Sequence, residues 1–142
     1  MRPDQISLVQ QTFERTVPIS AHVAATFYSE VFAIDPTVRV LFKGDMAVQG
    51  EKLMRMLSEI VHALRDPAAA LPMLRELAVR HAAYGVEARH YAVVGTALMR
   101  TLKHELGAAF TMEAREAWRA AYDLLSREMC EAAYGPATSP AL

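Results

Sequence analysis

Four polar side chains lie on the inward-facing sides of otherwise apolar helical segments, which makes them the residues best placed to do chemistry. They are Tyr28, Gln49, His81 and Tyr91. An imidazole can bind a metal, and phenol and amide groups can donate hydrogen bonds to a polar ligand. Ordinary packing also explains them, because a buried histidine or tyrosine usually bonds within the core and a glutamine usually faces solvent. The residue types alone leave both interpretations open.

The spacing of the other reactive residues excludes several enzyme classes. The five histidines form no HExxH pattern, and the chain has no phosphate-binding loop, dinucleotide fingerprint or nucleophile elbow. The single cysteine, Cys130, excludes an intramolecular disulfide and a cysteine-based zinc cluster. We therefore interpret Cys130 and the eight methionines as packing residues.

The composition is typical of one compact domain. The chain has 142 residues, 53% hydrophobic and 22% charged, and its 15 Lys and Arg nearly balance 16 Asp and Glu. This balance indicates neither a nucleic-acid groove nor a membrane-surface stripe. The first residues lack the apolar core of a signal peptide, and no uncharged stretch approaches the ~18 residues of a membrane span. We expect a cytoplasmic protein with no nucleic-acid or membrane partner.

Apolar residues recur at intervals of three and four along most of the chain, which predicts an all-α fold. The expected helices cover residues 4–16, 18–34, 46–64, 69–83, 88–106 and 112–133, with a short helical turn at 37–41. Thr111 is a suitable N-cap for the last helix, and Gly85 is a suitable left-handed residue after the fourth. We expect residues 1–135 to form a single domain and residues 136–142 a flexible C-terminal tail.

Two glycines inside predicted helices indicate close approaches between helices. A glycine inside a helix costs ~1 kcal/mol relative to alanine. We therefore expect Gly50 and Gly95 each to allow another helix to approach closely. We expect Gly50 to face Ala24 and Ala25. This crossing would bring Tyr28 beside Gln49 and place both over the space that the helices enclose.

The order of several short motifs resembles one known family. The resemblance covers about residues 4–130, and the motifs that carry it are Phe27-Tyr28, Phe32, Pro36, Arg39, Leu41-Phe42, Gln49, Lys52, Leu53, Arg80-His81, Tyr84-Gly85-Val86, His90-Tyr91, Val94-Gly95, Leu106-Gly107, Phe110-Thr111, Trp118 and Ala121-Tyr122. Together they resemble the single-domain bacterial haemoglobins and the globin module of flavohaemoglobins. The resemblance implies a globin fold of about six to seven helices around a haem pocket.

The resemblance also implies a cofactor and its contacts. Haem b (iron protoporphyrin IX) is expected with His81 as the proximal iron ligand, which leaves the opposite face of the iron open to a diatomic gas. Tyr28, Gln49 and Leu53 match distal ligand-binding positions. The positions expected to contact the cofactor are Phe42, Leu53, Leu57, Leu77, Arg80, His81, Val86, Tyr91, Val94 and Met129.

Further expectations concern the edges of this pocket. Phe42 matches a ring that packs flat against haem, while Lys52 and Arg80 are candidates to meet the haem propionates. Because Gln49 stands where many globins have a distal histidine, we expect a five-coordinate ferrous state in the absence of gas.

One position departs from the family pattern. In flavohaemoglobins a tyrosine and a glutamate hydrogen-bond around the proximal histidine and increase its electron donation. Tyr91 matches the tyrosine, but the glutamate position falls on Ala133. Glu131, two residues away, would replace it only if the last helix is shifted.

Two functions are compatible with these residues. The first is reversible binding of oxygen, and of CO or NO, for oxygen storage, transport or scavenging. The alternative is nitric oxide dioxygenation, which we expect to need an external reductase because the 142 residues contain no flavin- or nicotinamide-binding pattern. A haem-less sensor module conflicts with the joint presence of Tyr28, Phe42 and His81. A monomer and a homodimer are both compatible with the sequence.

Overall fold

The computed structural model describes residues 1–135, which form six α-helices. They are α1 (Pro3–Glu14), α2 (Ser20–Ile34), α3 (Met46–Ala63), α4 (Pro67–Ala83), α5 (Ala88–Leu106) and α6 (Met112–Tyr134). Three short 3-10 segments cover Val17–Ile19, Pro36–Leu41 and Gly107–Ala109, and no strand occurs within residues 1–135. The all-α prediction is confirmed. The predicted tail, residues 136–142, lies outside the described residues.

Short polar side chains start several of these helices. The side chain of Asp45 accepts a hydrogen bond from Ala47 N at 2.8 Å, and Thr111 accepts one from Ala114 N at 3.1 Å. Such caps satisfy backbone N–H groups that have no partner within the helix. The predicted cap at Thr111 is confirmed. Gly85 has φ +99°, as expected for a left-handed residue after α4.

Two predicted helix starts are wrong by about half a turn. Pro18 does not lie in the first turn of α2 but in the 3-10 segment before it, and α2 begins at Ser20. The fourth helix begins at Pro67 rather than at residue 69, because Asp66 caps its first turn and proline suits the first helical position.

The helices enclose two packed regions. The larger lies among α1, α2, α3, α5 and α6, where Trp118 Nε1 donates a hydrogen bond to Thr12 Oγ1 at 2.8 Å. The smaller lies among α4, α5 and α6, around Leu74, Leu77 and Met129. The space between the two regions contains the candidate site.

The helices α2 and α3 cross in close contact at Gly50. A Cβ atom added to Gly50 would lie 3.0 Å from the Cβ of Ala24, which confirms the predicted contact with Ala24. A Cβ added to Gly95 would lie 2.7 Å from Tyr122 Cε2, so this glycine allows α6 to approach α5. The crossing at Gly50 brings Tyr28 on α2 next to Gln49 on α3.

One segment has the length and hydropathy of a membrane span, which the sequence analysis did not predict. It is Pro3–Ile34, whose most apolar window has a mean hydropathy of 1.2. In the fold this segment is divided into α1 and α2 by the turn at Val17–Ile19, and Val9, Phe13 and Val23 pack in the core. Helices in the core of a compact domain have the same length and hydropathy, so this segment is weak evidence for a membrane span.

Candidate functional site

An apolar cavity of about 140 Å³ lies between α3 on one side and α4, α5 and α6 on the other. Eight of the ten positions predicted to contact a cofactor line it: Leu53, Leu57, Leu77, His81, Val86, Tyr91, Val94 and Met129. Sequence reasoning did not assign Phe27, Leu98, Trp118 or Leu125 to the site, although all four line the cavity. Helical spacing contained a signal for two of them, because Leu98 lies one turn after Val94 and Leu125 one turn before Met129.

His81 lies in the last turn of α4, and its Nδ1 atom is 2.8 Å from the carbonyl oxygen of Leu77. A carbonyl oxygen only accepts hydrogen bonds, so Nδ1 carries the proton and Nε2 carries the free electron pair. Burial lowers the pKa of His81; the hydrogen bond to Leu77 opposes this in part, and the charge of Arg80 adds a smaller lowering. The ring is therefore a neutral imidazole with one nitrogen available to a metal.

Tyr91 lines the same cavity with its hydroxyl group buried. Within residues 1–135 this hydroxyl has no hydrogen-bond partner. Burial raises the pKa of Tyr91 to about 12, with a smaller contribution from Cys130, so the phenol is neutral. The hydroxyl of Tyr122 donates to the backbone oxygen of Tyr91 at 2.6 Å and leaves the Tyr91 side chain unsatisfied. A buried hydroxyl without a hydrogen-bond partner costs about 1–3 kcal/mol. We interpret the Tyr91 hydroxyl as a group that a molecule bound in the cavity would satisfy.

The carboxylate of Glu131 does not take the place of the missing glutamate. Glu131 is exposed on α6, and its carboxylate makes no hydrogen bond or ion pair with other described residues. Ala133 packs partly buried against the smaller core. The acceptor for His81 is therefore a neutral backbone carbonyl.

Tyr28 and Gln49 form a hydrogen-bonded pair at the crossing of α2 and α3. Gln49 Nε2 donates to the hydroxyl oxygen of Tyr28 at 3.3 Å. Burial raises the pKa of Tyr28, so its phenol keeps its proton and remains able to donate to another group. The pair does not line the cavity. The cavity wall is formed instead by Phe27, which precedes Tyr28 in α2, and by Leu53, which lies one turn after Gln49 in α3.

Three other predicted residues also lie outside the cavity lining. Phe42 packs edge-on against Tyr28 and Phe32, with ring centroids 5.2 and 5.6 Å away. Lys52 and Arg80 are exposed. The structure thus groups Phe42 with Tyr28 and leaves the two cations at the surface.

The residues that line the cavity suit an apolar group that brings its own metal. No cluster of three or more His, Cys, Asp or Glu residues suitable for a bare metal ion occurs among the described residues. A metal bound by His81 therefore has to arrive with most of its other ligands. Iron in a porphyrin would meet this condition, because His81 would supply one nitrogen ligand and the apolar walls would contact the ring.

Comparison with known proteins agrees with this geometry. The globin family profile matches residues 25–129. The chain is 29% identical over 129 residues to a flavohemoprotein of Bordetella parapertussis, covering 89% of this chain and 32% of that protein. It is 28% identical over 139 residues to a flavohemoprotein of Chromobacterium violaceum, covering 94% of this chain and 34% of the other. The chain spans about a third of the length of these relatives. By the match over most of its residues, the chain belongs to the globin family.

Proposed function

We propose that this globin holds haem b through His81 and reversibly binds oxygen and other diatomic gases, including CO and NO, for oxygen storage, transport or scavenging. The observation that carries the proposal is the neutral His81 ring, fixed on the Leu77 carbonyl beside an apolar cavity. Haem iron supplies the gas-binding site when the cofactor is present. The roles of the protein are to bind the cofactor, to exclude water and to supply hydrogen bonds.

The walls of the cavity supply the first two of these roles. Leu57, Leu77, Val86, Val94 and Met129 present hydrocarbon to the cavity, and its burial favours a porphyrin over water. These five side chains also offer water no hydrogen-bond partners, unlike the free His81 Nε2 and the Tyr91 hydroxyl on the same wall.

Polar groups at the edges supply the remaining contacts in this proposal. Lys52 and Arg80, both exposed cations, are assigned to the haem propionates, and Phe42 is assigned to packing against the ring. Tyr28, which lies outside the cavity lining and next to the wall residue Phe27, is assigned as the main hydrogen-bond donor to the gas. Its oxygen already accepts from Gln49, which leaves the phenol proton free to donate.

Optical spectra before and after dithionite, and then under CO or oxygen, test this function. We expect haem bands that change reversibly with gas, and a five-coordinate ferrous form without it. His81→Ala should lose or alter these bands, whereas His104→Ala, at an exposed histidine, should not. Absence of haem uptake after reconstitution of the wild-type protein would overturn the proposal.

Nitric oxide dioxygenation with an external reductase is the second candidate function. It is supported by the similarity to flavohemoproteins, although the chain spans only about a third of their length. The reaction combines NO and O2 and consumes one electron per nitrate formed. Continuous NO consumption in air with NADPH and a flavin reductase would favour the enzyme. A single burst equal to the protein concentration would favour the gas-binding protein.

A further inference from the structure

Two of the five histidines line the cavity, and the proposed function uses one of them. They are His81 in the last turn of α4 and His90 in the first turn of α5. His90 is 5% exposed, and a side chain buried to this extent normally has hydrogen-bond partners for its polar atoms. The partners of its two ring nitrogens therefore determine what His90 can do in the cavity.

The two histidine rings are held in opposite tautomers. The backbone N–H of Glu87 donates to Nδ1 of His90 at 2.8 Å, as part of the capping box that starts α5. A ring nitrogen that accepts a hydrogen bond carries no proton, so the proton of His90 lies on Nε2. In His81 the proton lies on Nδ1, because that atom donates to the carbonyl oxygen of Leu77. Nε2 is thus free to bind a metal in His81, whereas in His90 it is a hydrogen-bond donor.

The Nε2 donor of His90 has no partner within residues 1–135, where the bond from Glu87 is the one side-chain hydrogen bond of this ring. Among the buried and half-buried residues of this range, the Tyr91 hydroxyl is the one fully buried side-chain polar atom without a partner. Nε2 of His90 is therefore not fully buried and borders open space. An acceptor atom of a bound ligand can reach it.

The position of His90 narrows the choice of acceptor. His81 and His90 lie on α4 and α5, which are on the same side of the cavity, opposite α3. A gas binds the face of the iron that His81 does not occupy, so His90 lies on the wrong side to donate to the gas. The other hydrogen-bond acceptors of haem b are the carboxylate oxygens of its two propionate groups. A charged acceptor of this kind makes the stronger hydrogen bond.

We propose that Nε2–H of His90 donates a hydrogen bond to a haem propionate carboxylate and that this bond helps to retain the cofactor. The contact rests on the proposed haem-binding function and adds a buried donor to the exposed cations Lys52 and Arg80. Water competes with an exposed ion pair more than with a buried hydrogen bond. His90 therefore contributes more to haem retention than either cation does.

The rate of haem loss to an excess of apomyoglobin tests this contact in two variants of His90. His90→Asn keeps an acceptor for the Glu87 N–H near the position of Nδ1 and removes the Nε2 donor. His90→Gln keeps an N–H donor near the position of Nε2 and gives up the cap. We expect about tenfold faster haem loss in His90→Asn, as for one lost hydrogen bond to a charged acceptor, and a smaller change in His90→Gln. His104→Asn, at an exposed histidine, is the control and should match the wild type.

Haem dimethyl ester identifies the acceptor, because esterification removes the charge of both propionates. With this cofactor the difference in loss rate between the wild type and His90→Asn should fall from about tenfold to less than about threefold. An equal effect of His90→Asn with haem and with its ester would overturn the contact. It would show that the N–H serves another group, such as a free carboxylate.

The propionate bending band in the resonance Raman spectrum gives a readout that does not depend on haem retention. This band should shift in His90→Asn and keep its wild-type frequency in His90→Gln. The same band in all three proteins, or haem loss as fast in His90→Gln as in His90→Asn, would overturn the contact alone. A wild-type protein that takes up no haem would overturn the proposed function together with the contact.

Discussion

The Nδ1 atom of His81 donates a hydrogen bond to the carbonyl oxygen of Leu77, 2.8 Å away and one turn earlier in α4. This bond fixes the tautomer of the ring and directs the free electron pair to Nε2. A neutral carbonyl makes the imidazole less electron-donating than a carboxylate acceptor does. This weaker donation supports the proposed reversible gas binding, because strong donation from an axial ligand promotes O–O cleavage.

Loss of the Tyr28 hydroxyl should speed the release of oxygen. In Tyr28→Phe the phenol proton is absent, and the loss of one hydrogen bond of about 1–1.5 kcal/mol corresponds to roughly tenfold faster dissociation. Stopped-flow displacement of oxygen by CO measures this rate. Tyr84→Phe, at a side chain that is 73% exposed, is the control and should behave as wild type. An unchanged rate in Tyr28→Phe would assign the donor role elsewhere.

Loss of the Gln49 amide should raise the rate of oxygen dissociation less than loss of the Tyr28 hydroxyl does. Its amide donates to the Tyr28 oxygen at 3.3 Å, so Gln49→Leu removes a contact that orients the phenol. We expect a rise in oxygen dissociation that is less than the rise in Tyr28→Phe, and little further change in the double variant. Fully independent effects of the two substitutions would contradict the pairing.

Loss of the hydroxyl group should change the free energy of unfolding differently at Tyr91 and at Tyr122, the two tyrosines of the cavity wall. Tyr91→Phe removes a buried group without a partner, so the free energy of unfolding should stay the same or rise by about 1 kcal/mol. Tyr122→Phe removes the donor to the Tyr91 carbonyl, so it should lower that free energy by about 1 kcal/mol. Urea denaturation at neutral pH measures both changes, and an equal loss in both variants would contradict the assignment.

The pH dependence of unfolding gives a separate test of Tyr91. Its pKa is about 12 in the folded protein and 10.0 in the unfolded chain. The unfolded state therefore loses its proton first, and the stability from this group is complete below pH 10 and is lost between pH 10 and about 12. Tyr91→Phe should reduce the alkaline loss of stability over this range. An identical pH profile in the variant would show that Tyr91 titrates normally.

The close approach of α5 and α6 predicts the cost of a methyl group at Gly95. The added Cβ of Gly95→Ala would lie 2.7 Å from Cε2 of the Tyr122 ring, so the ring or one of the two helices has to move. We expect the free energy of unfolding to fall by about 1–3 kcal/mol. Gly44→Ala is the matched control, because no heavy atom lies within 4 Å of its added Cβ, and it should cause no loss.

The sequence predicted the helices well because their apolar faces repeat regularly and Asp45, Thr111 and Gly85 mark their ends. Helical spacing also placed His81 and Leu77 on the face that lines the cavity. Spacing within one helix does not determine contacts between distant segments, so the free hydroxyl of Tyr91 could not be predicted. The sequence predicted that Tyr28 lies beside Gln49, which the structure confirms, but the prediction that the pair lies over the enclosed space is wrong, because neither residue lines the cavity.

Chemical rescue of His81 tests the central assignment most directly. His81→Gly removes the imidazole and leaves space beside the cavity, so the variant should lose the haem spectrum and CO binding of the wild type. Addition of free imidazole should restore both, because it supplies the missing nitrogen ligand, whereas His104→Gly should need no imidazole. Retention of the wild-type spectrum by His81→Gly without imidazole would show that His81 does not ligate the iron.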